Sequence, residues 1–237
     1  MSLLDAVKKV GPYLPLTAAQ SKKKAYSERL SHLLAEEVAA GLRSVGFRGV
    51  KPDERGAKEK AFQGGLGLKK VDVSYADEQH GLQLAVSIKT ICYPPFGKNL
   101  KNRFGDLCTE AITLHMRFPY SVVCALFAFP VYADQDVTSR RRKSSFQRAR
   151  QLLATVSDRK HQTGPGERFE NVTLMLFQPV VAGKKAASLR LIDSSTEREL
   201  SEQQYFQHLL NLFNERNPHA LVEALDEDEN GDTEPET

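Results

Sequence analysis

At 237 residues, with 41% apolar and 27% charged side chains, the chain can bury a sizeable core and is not a disordered or low-complexity polymer. The net charge of +3 hides an asymmetry: residues 226–237 hold seven acids and no base, leaving 33 basic against 23 acidic residues in the body, near +10. Three cysteines (Cys92, Cys108 and Cys124) with no Cys-x-x-Cys pair exclude a disulfide scaffold and a zinc ribbon, and suit free thiols in a reducing cytoplasm.

The start, Met1 to Lys8, lacks the apolar stretch of a signal peptide. Residues 17–44 form one long helical pattern, with Tyr26, Leu30, Leu33, Leu34, Val38, Leu42 and Val45 on a broad stripe. Advancing about 100° per residue, Glu37 falls inside that stripe and Glu36 outside it. A carboxylate on a buried face is costly unless paired or bound to a metal, so Glu37 reads either as a partly exposed Glu that snorkels or meets an Arg, or as a metal-site carboxylate. Residues 51–60, charged and broken by Pro52 and Gly56, read as a loop or weak strand. Gln63-Gly64-Gly65-Leu66-Gly67 is no phosphate-binding P-loop, because no Gly-Lys-Ser/Thr ends it and a strand follows. It is either a flexible connection or a backbone allowed close to a phosphodiester.

Residues 69–75 and 82–90 alternate apolar and polar side chains and read as two strands of a hairpin. Val71, Val73 and Tyr75 share one face of the first strand, opposite Lys70, Asp72 and Ser74. In the second, Leu84, Val86 and Ile88 oppose Gln83, Ala85, Ser87 and Lys89. A four-residue loop over 78–81 pairs Asp77 with Leu82 and sets Asp72 opposite Ser87, with Lys89 diagonal on the same face. A second helix is expected over 99–116, burying Leu100, Phe104, Leu107, Cys108, Ala111 and Leu114, with Arg103, Asp106 and Glu110 on a flank. A salt-bridged solvent face accounts for that trio. Residues 120–130 are almost continuously apolar, too short to cross a membrane as a helix and suited to a strand buried on both faces. A basic helix over 139–156, strands over 172–180 and 188–192 and a helix over 201–214 complete the pattern.

The hairpin with its carboxylate and lysine resembles the core of the PD-(D/E)xK nuclease superfamily, in which an Asp on one strand is followed by acid-x-Lys on the next. Val71-Asp72 stands for the family's Pro-Asp, and Ser87-Ile88-Lys89 for its acid-x-Lys, with Ser87 where the family has its second acid. A subset of type II restriction endonucleases shows a similar Ser-x-Lys and takes a Glu from the following helix, which makes Glu110 the candidate here. The family often places a Glu on the helix before the Asp strand, which is the metal-ligand reading of Glu37. The resemblance spans roughly residues 26–131. It implies an α/β fold with a restriction-endonuclease-like core, a central mixed β-sheet flanked by helices. Residues 1–225 would then be a single nuclease-like domain with its core at 17–131, and 226–237 an acidic tail. It implies a divalent-metal-dependent DNA endonuclease of restriction or genome-defence type, using Mg²⁺ with Mn²⁺ as a substitute. Asp72 would be the central ligand, with Glu37 and Glu110 its supplements; Lys89 would position or help deprotonate the attacking water or stabilise the developing oxyanion, and Ser87 would be a motif position of open role.

Basic side chains cluster at Lys22-Lys23-Lys24, at Lys98, Lys101 and Arg103, and at Arg140-Arg141-Arg142-Lys143 ahead of Arg148 and Arg150. Three clusters favour a phosphate-rich partner over a merely solvated face, and the resemblance implies that the partner is double-stranded DNA. No membrane partner is expected, and a homodimer is open. A non-catalytic nucleic-acid binder on the same scaffold, or a subunit of a defence or recombination complex, is the rival reading, motivated by Ser87.

Overall fold

Residues 2–54, 60–139, 142–181 and 187–223 are described by the computed structural model of the chain. Arg140, Arg141 and the acidic stretch 226–237 lie outside them.

Strand β5 (Val122–Pro130) is buried at every position, so it needs a covering layer on both faces. It sits inside a six-stranded mixed sheet with β3 (Val73–Asp77), β4 (Gly81–Thr90), β6 (Asn171–Gln178), β7 (Ser188–Asp193) and β8 (Glu199–Leu200), in the order β3-β4-β5-β6-β7-β8. Strands β4, β5 and β6 are parallel, and the pairings outside them are antiparallel. One face, carrying Leu84, Val86 and Ile88, packs with α1 (Leu3–Lys9), α2 (Gln20–Ser44) and α5 (Glu202–Arg216). The other, carrying Ala85, Val123 and Ala125, packs with α3 (Phe96–Arg117) and α4 (Ser145–Ala154). The chain is an α/β protein with a central mixed sheet flanked by helices, as expected. Its core draws on residues from Leu3 to Phe213, well beyond 17–131.

Two departures from the sequence reading bear on the site. The first expected strand is broken at Asp72: β2 (Leu68–Val71) pairs with β1 (Lys60–Gln63) in a separate two-stranded sheet, and only β3 joins the main one. Val71 therefore faces the α3 side while Val73 faces α2, instead of sharing a face. The β3–β4 turn is also tighter than expected, since Asp77 pairs with Gly81. A bulge between Tyr75 and Ala76 restores the register, so that Val73 meets Val86 and the next position, Asp72, falls opposite Ser87.

Capping boxes set the starts of α1, α4 and α5. Ser144 and Gln147 form a capping box that begins α4 at Ser145, so Arg142 and Lys143 precede the helix expected from 139. The glycines of the β1–β2 turn serve close packing. The Gly65 N–H donates to the Thr113 carbonyl at 2.8 Å, and a Cβ there would stand 2.3 Å from that of Met116 on α3.

Candidate active site

The ladder between β3 and β4 ends at Val73–Val86, because the chain turns away at Asp72 into the smaller sheet. The Asp72 side chain takes over from the backbone: its Oδ2 accepts the Ile88 N–H at 2.6 Å. This holds the carboxylate at the sheet edge, beside Ser87 and Lys89. Side chains at 85, 87 and 89 share the face that α3 covers, and α3 delivers Glu110 onto it by the spacing of Leu107, Ala111 and Leu114 along its buried stripe.

Glu110 is 1% exposed and its carboxylate is fully engaged. The Ser87 hydroxyl donates to Oε1. The Lys89 and Lys69 ammoniums both reach Oε2, at 3.0 and 2.9 Å. Burial pushes the Glu110 carboxyl upward, but Lys89, Lys69 and the Ser87 hydroxyl outweigh it and hold the group below the usual carboxylate range. Burial likewise presses the Lys89 ammonium down. The charges of Glu110 and then Asp72 overcome this and raise it above the ordinary lysine value, with Arg103 opposing. Lys89 is therefore a fixed cation at neutral pH, shared electrostatically by the two carboxylates. A charged ammonium donates hydrogen bonds and cannot act as a base.

The structure thus gathers Asp72, Ser87, Lys89 and Glu110 and adds Lys69, which the sequence reading did not assign. Glu110 departs from the expected flank, since Arg103 and Asp106 pair with each other at 3.4 Å on the exposed surface while Glu110 turns inward. Glu37 is buried, as its stripe position predicted, but α2 lies on the opposite face of the sheet. Its Oε1 accepts from Lys9 of α1 at 2.7 Å, so it is buried and paired with a lysine instead of being partly exposed or meeting an Arg. Lys69 escaped notice because an unbroken strand through residue 72 would point residues 69 and 72 to opposite faces.

Carboxylate oxygens suit a hard divalent cation, and Mg²⁺ typically takes only one or two of them plus water and substrate oxygens. Asp72 and Glu110 are the two carboxylates whose charge acts on Lys89, with the Glu110 oxygens already engaged by Ser87, Lys69 and Lys89. Among the described residues no group of three or more His, Cys, Asp or Glu side chains is placed to hold a metal. Lys98, Lys101, Arg103, Arg142 and Lys143 are exposed, the first three on the opening turns of α3 and the last two ahead of α4. Lys22, Lys23 and Lys24 stand near the start of α2, across the sheet. No helix among the described residues is long and apolar enough to cross a membrane.

No family model, curated protein or solved structure matches the chain. Functional assignment therefore rests on the residues themselves.

Proposed function

We propose that this chain is a Mg²⁺-dependent DNA endonuclease, with Asp72, Glu110 and Lys89 as its working residues. The observation that carries the proposal is the Lys89 ammonium, 3.0 Å from Glu110 and within electrostatic reach of Asp72 and Arg103. A phosphodiester resists attack because it is anionic, so a hydrolase must supply positive charge and an oriented nucleophile. Asp72 and Glu110 would hold the cation, which when bound supplies charge neutralisation and a more acidic water. Lys89 donates, orienting an attacking or substrate oxygen and offsetting the negative charge that develops on the phosphoryl oxygens. Ser87 fixes Glu110 in place and is not an electrostatic substitute for an acid. Lys98, Lys101 and Arg103 supply backbone contacts beside the site. Restriction or another genome-defence role in the cytoplasm suits this chemistry and the free thiols.

The test is cleavage of duplex DNA with Mg²⁺ or Mn²⁺ and in EDTA, by the wild-type protein and by Asp72→Ala. Cleavage that needs the cation and disappears in the variant is expected. Retained cleavage in Asp72→Ala would remove Asp72 from its central position.

One observation favours a second reading, a nucleic-acid binder without catalysis. Glu110 is saturated by Ser87, Lys69 and Lys89, and Asp72 caps a strand N–H, which are adequate structural roles. On that reading neither cation nor Asp72 alters the DNA.

A further inference from the structure

A cavity of about 1060 Å³ opens where the chain leaves β4 and starts α3, lined by none of Asp72, Ser87, Lys89 or Glu110. Its walls carry apolar side chains (Leu14, Leu16, Pro94, Pro95, Phe96 and Val181) together with aromatic hydroxyls and cations. Tyr13 and Tyr132 present rings whose centroids are 5.2 Å apart, and Tyr13 is locked in place by stacking on Tyr93 at 4.6 Å and by donating its hydroxyl proton to the Cys92 carbonyl at 2.7 Å. Lys98, Lys101 and Arg148 bring positive charge to the same space. Among the described residues the one acid on the wall, Asp136, accepts from the Ser145 N–H and hydroxyl, both at 2.6 Å.

Arg148 is placed with unusual care. A Cβ at Gly97 would lie 2.4 Å from its Nη2, so the guanidinium rests close against the first turn of α3 at a glycine. Its Nη2 donates to the Ser145 hydroxyl at 3.1 Å, while its Nε is buried without a hydrogen-bond partner among the described residues. The same turn of α3 has no acidic residue and no side-chain cap, so nothing in it offsets an approaching anion. Glu110 lies nine positions beyond Lys101 on this helix, about 13 Å along its axis at 1.5 Å per residue.

We propose that this cavity binds a single nucleotide, with its base against Tyr13 and Tyr132 and its phosphate towards Lys98, Lys101 and Arg148. Aromatic rings accept any base face, and the cations supply what the phosphate needs. A rigid aromatic wall beside a cationic rim fits a planar anion. It does not fit an apolar peptide, which has no use for three cations, or duplex phosphate alone, which has no use for the rings. The proposal deepens the nuclease reading by assigning the occupant to a nucleotide unstacked from the bound strand. A free nucleotide has the same chemistry, and the two sources can be told apart.

The experiment titrates the full chain, in EDTA so that catalysis plays no part, with deoxyadenosine 5′-monophosphate, deoxyadenosine and inorganic phosphate. The monophosphate should bind at least tenfold more tightly than either fragment. Arg148→Gln and Tyr132→Ala, checked for native circular dichroism, should each weaken it at least tenfold. Equal binding by nucleotide and phosphate, or unchanged affinity in both variants, overturns the proposal whether or not the protein cleaves DNA. Duplexes carrying 2-aminopurine then identify the source. A fluorescence rise on binding that Tyr132→Ala abolishes assigns the cavity to an unstacked strand nucleotide. Tight monophosphate binding with no such rise overturns that assignment and leaves a free-nucleotide site.

Discussion

Replacing Glu110 with glutamine keeps the side chain's shape and an acceptor for Ser87, but leaves two ammoniums facing a neutral amide. Lys69, at 31% exposure, can turn to water, whereas Lys89, at 14%, has less room to do so. Loss of one partner from a buried pair costs about 3–5 kcal/mol, and the lower end is expected for Glu110→Gln because Lys69 can relax. Glu36→Gln, on the exposed side of α2, should stay within about 0.5 kcal/mol of wild type. Urea unfolding of the two variants checks this, and similar midpoints would contradict the buried network. The pH dependence has a definite sign. Glu110 titrates below its usual range, so its stabilisation is complete above that range and is lost as the pH falls through it to the depressed value. Lys89 titrates above its usual range, so its share is complete below that range and is lost as the pH rises past it. The wild-type protein should therefore lose stability in acid more steeply than Glu110→Gln, as measured by unfolding midpoints over a pH series.

At the scale of elements, alternation and helical periodicity revealed every strand that fills the middle of the sheet and four of the five helices. They missed α1, β1 and β8, which are short, and they could not see the break at Asp72. The break is tertiary in origin: β2 leaves the main sheet to pair with β1, whose turn is pinned to α3 through the Gly65–Thr113 hydrogen bond. The Asp72–Ser87 register survived a wrong turn length because the bulge at Tyr75 compensated for it. Lys69 became visible only once the broken strand had set its face. The glycine turn admits a direct test. Gly65→Ala drives a methyl into Met116, and overpacking of this kind costs about 1–3 kcal/mol. A melting temperature lower by about 2–4 °C per kcal/mol is expected for a domain of this size. An unchanged value would mean that α3 and the turn are not tightly packed.

For the whole molecule, the proposed contact with a phosphate backbone rests on the basic body. Neutralising Arg140, Arg141, Arg142 and Lys143 together should weaken DNA binding on every sequence alike. It should also flatten the salt dependence by about 0.9 in log–log slope for each lost duplex contact. Unchanged affinity and slope would pass the DNA-contacting role to Lys98, Lys101 and Arg103. Removing residues 226–237 should leave binding equal or slightly tighter, since only acids are lost.

The central claim is that Lys89 acts in chemistry and not merely in folding or binding. Its most direct test follows cleavage and binding of one duplex by wild type and Lys89→Met in Mg²⁺, with native circular dichroism as the control. The account predicts that the variant binds DNA within a few-fold of wild type and loses cleavage by roughly a hundredfold or more, the scale of removing one transition-state donor. Cleavage at the wild-type rate by folded Lys89→Met, or no cleavage by either protein, would contradict it.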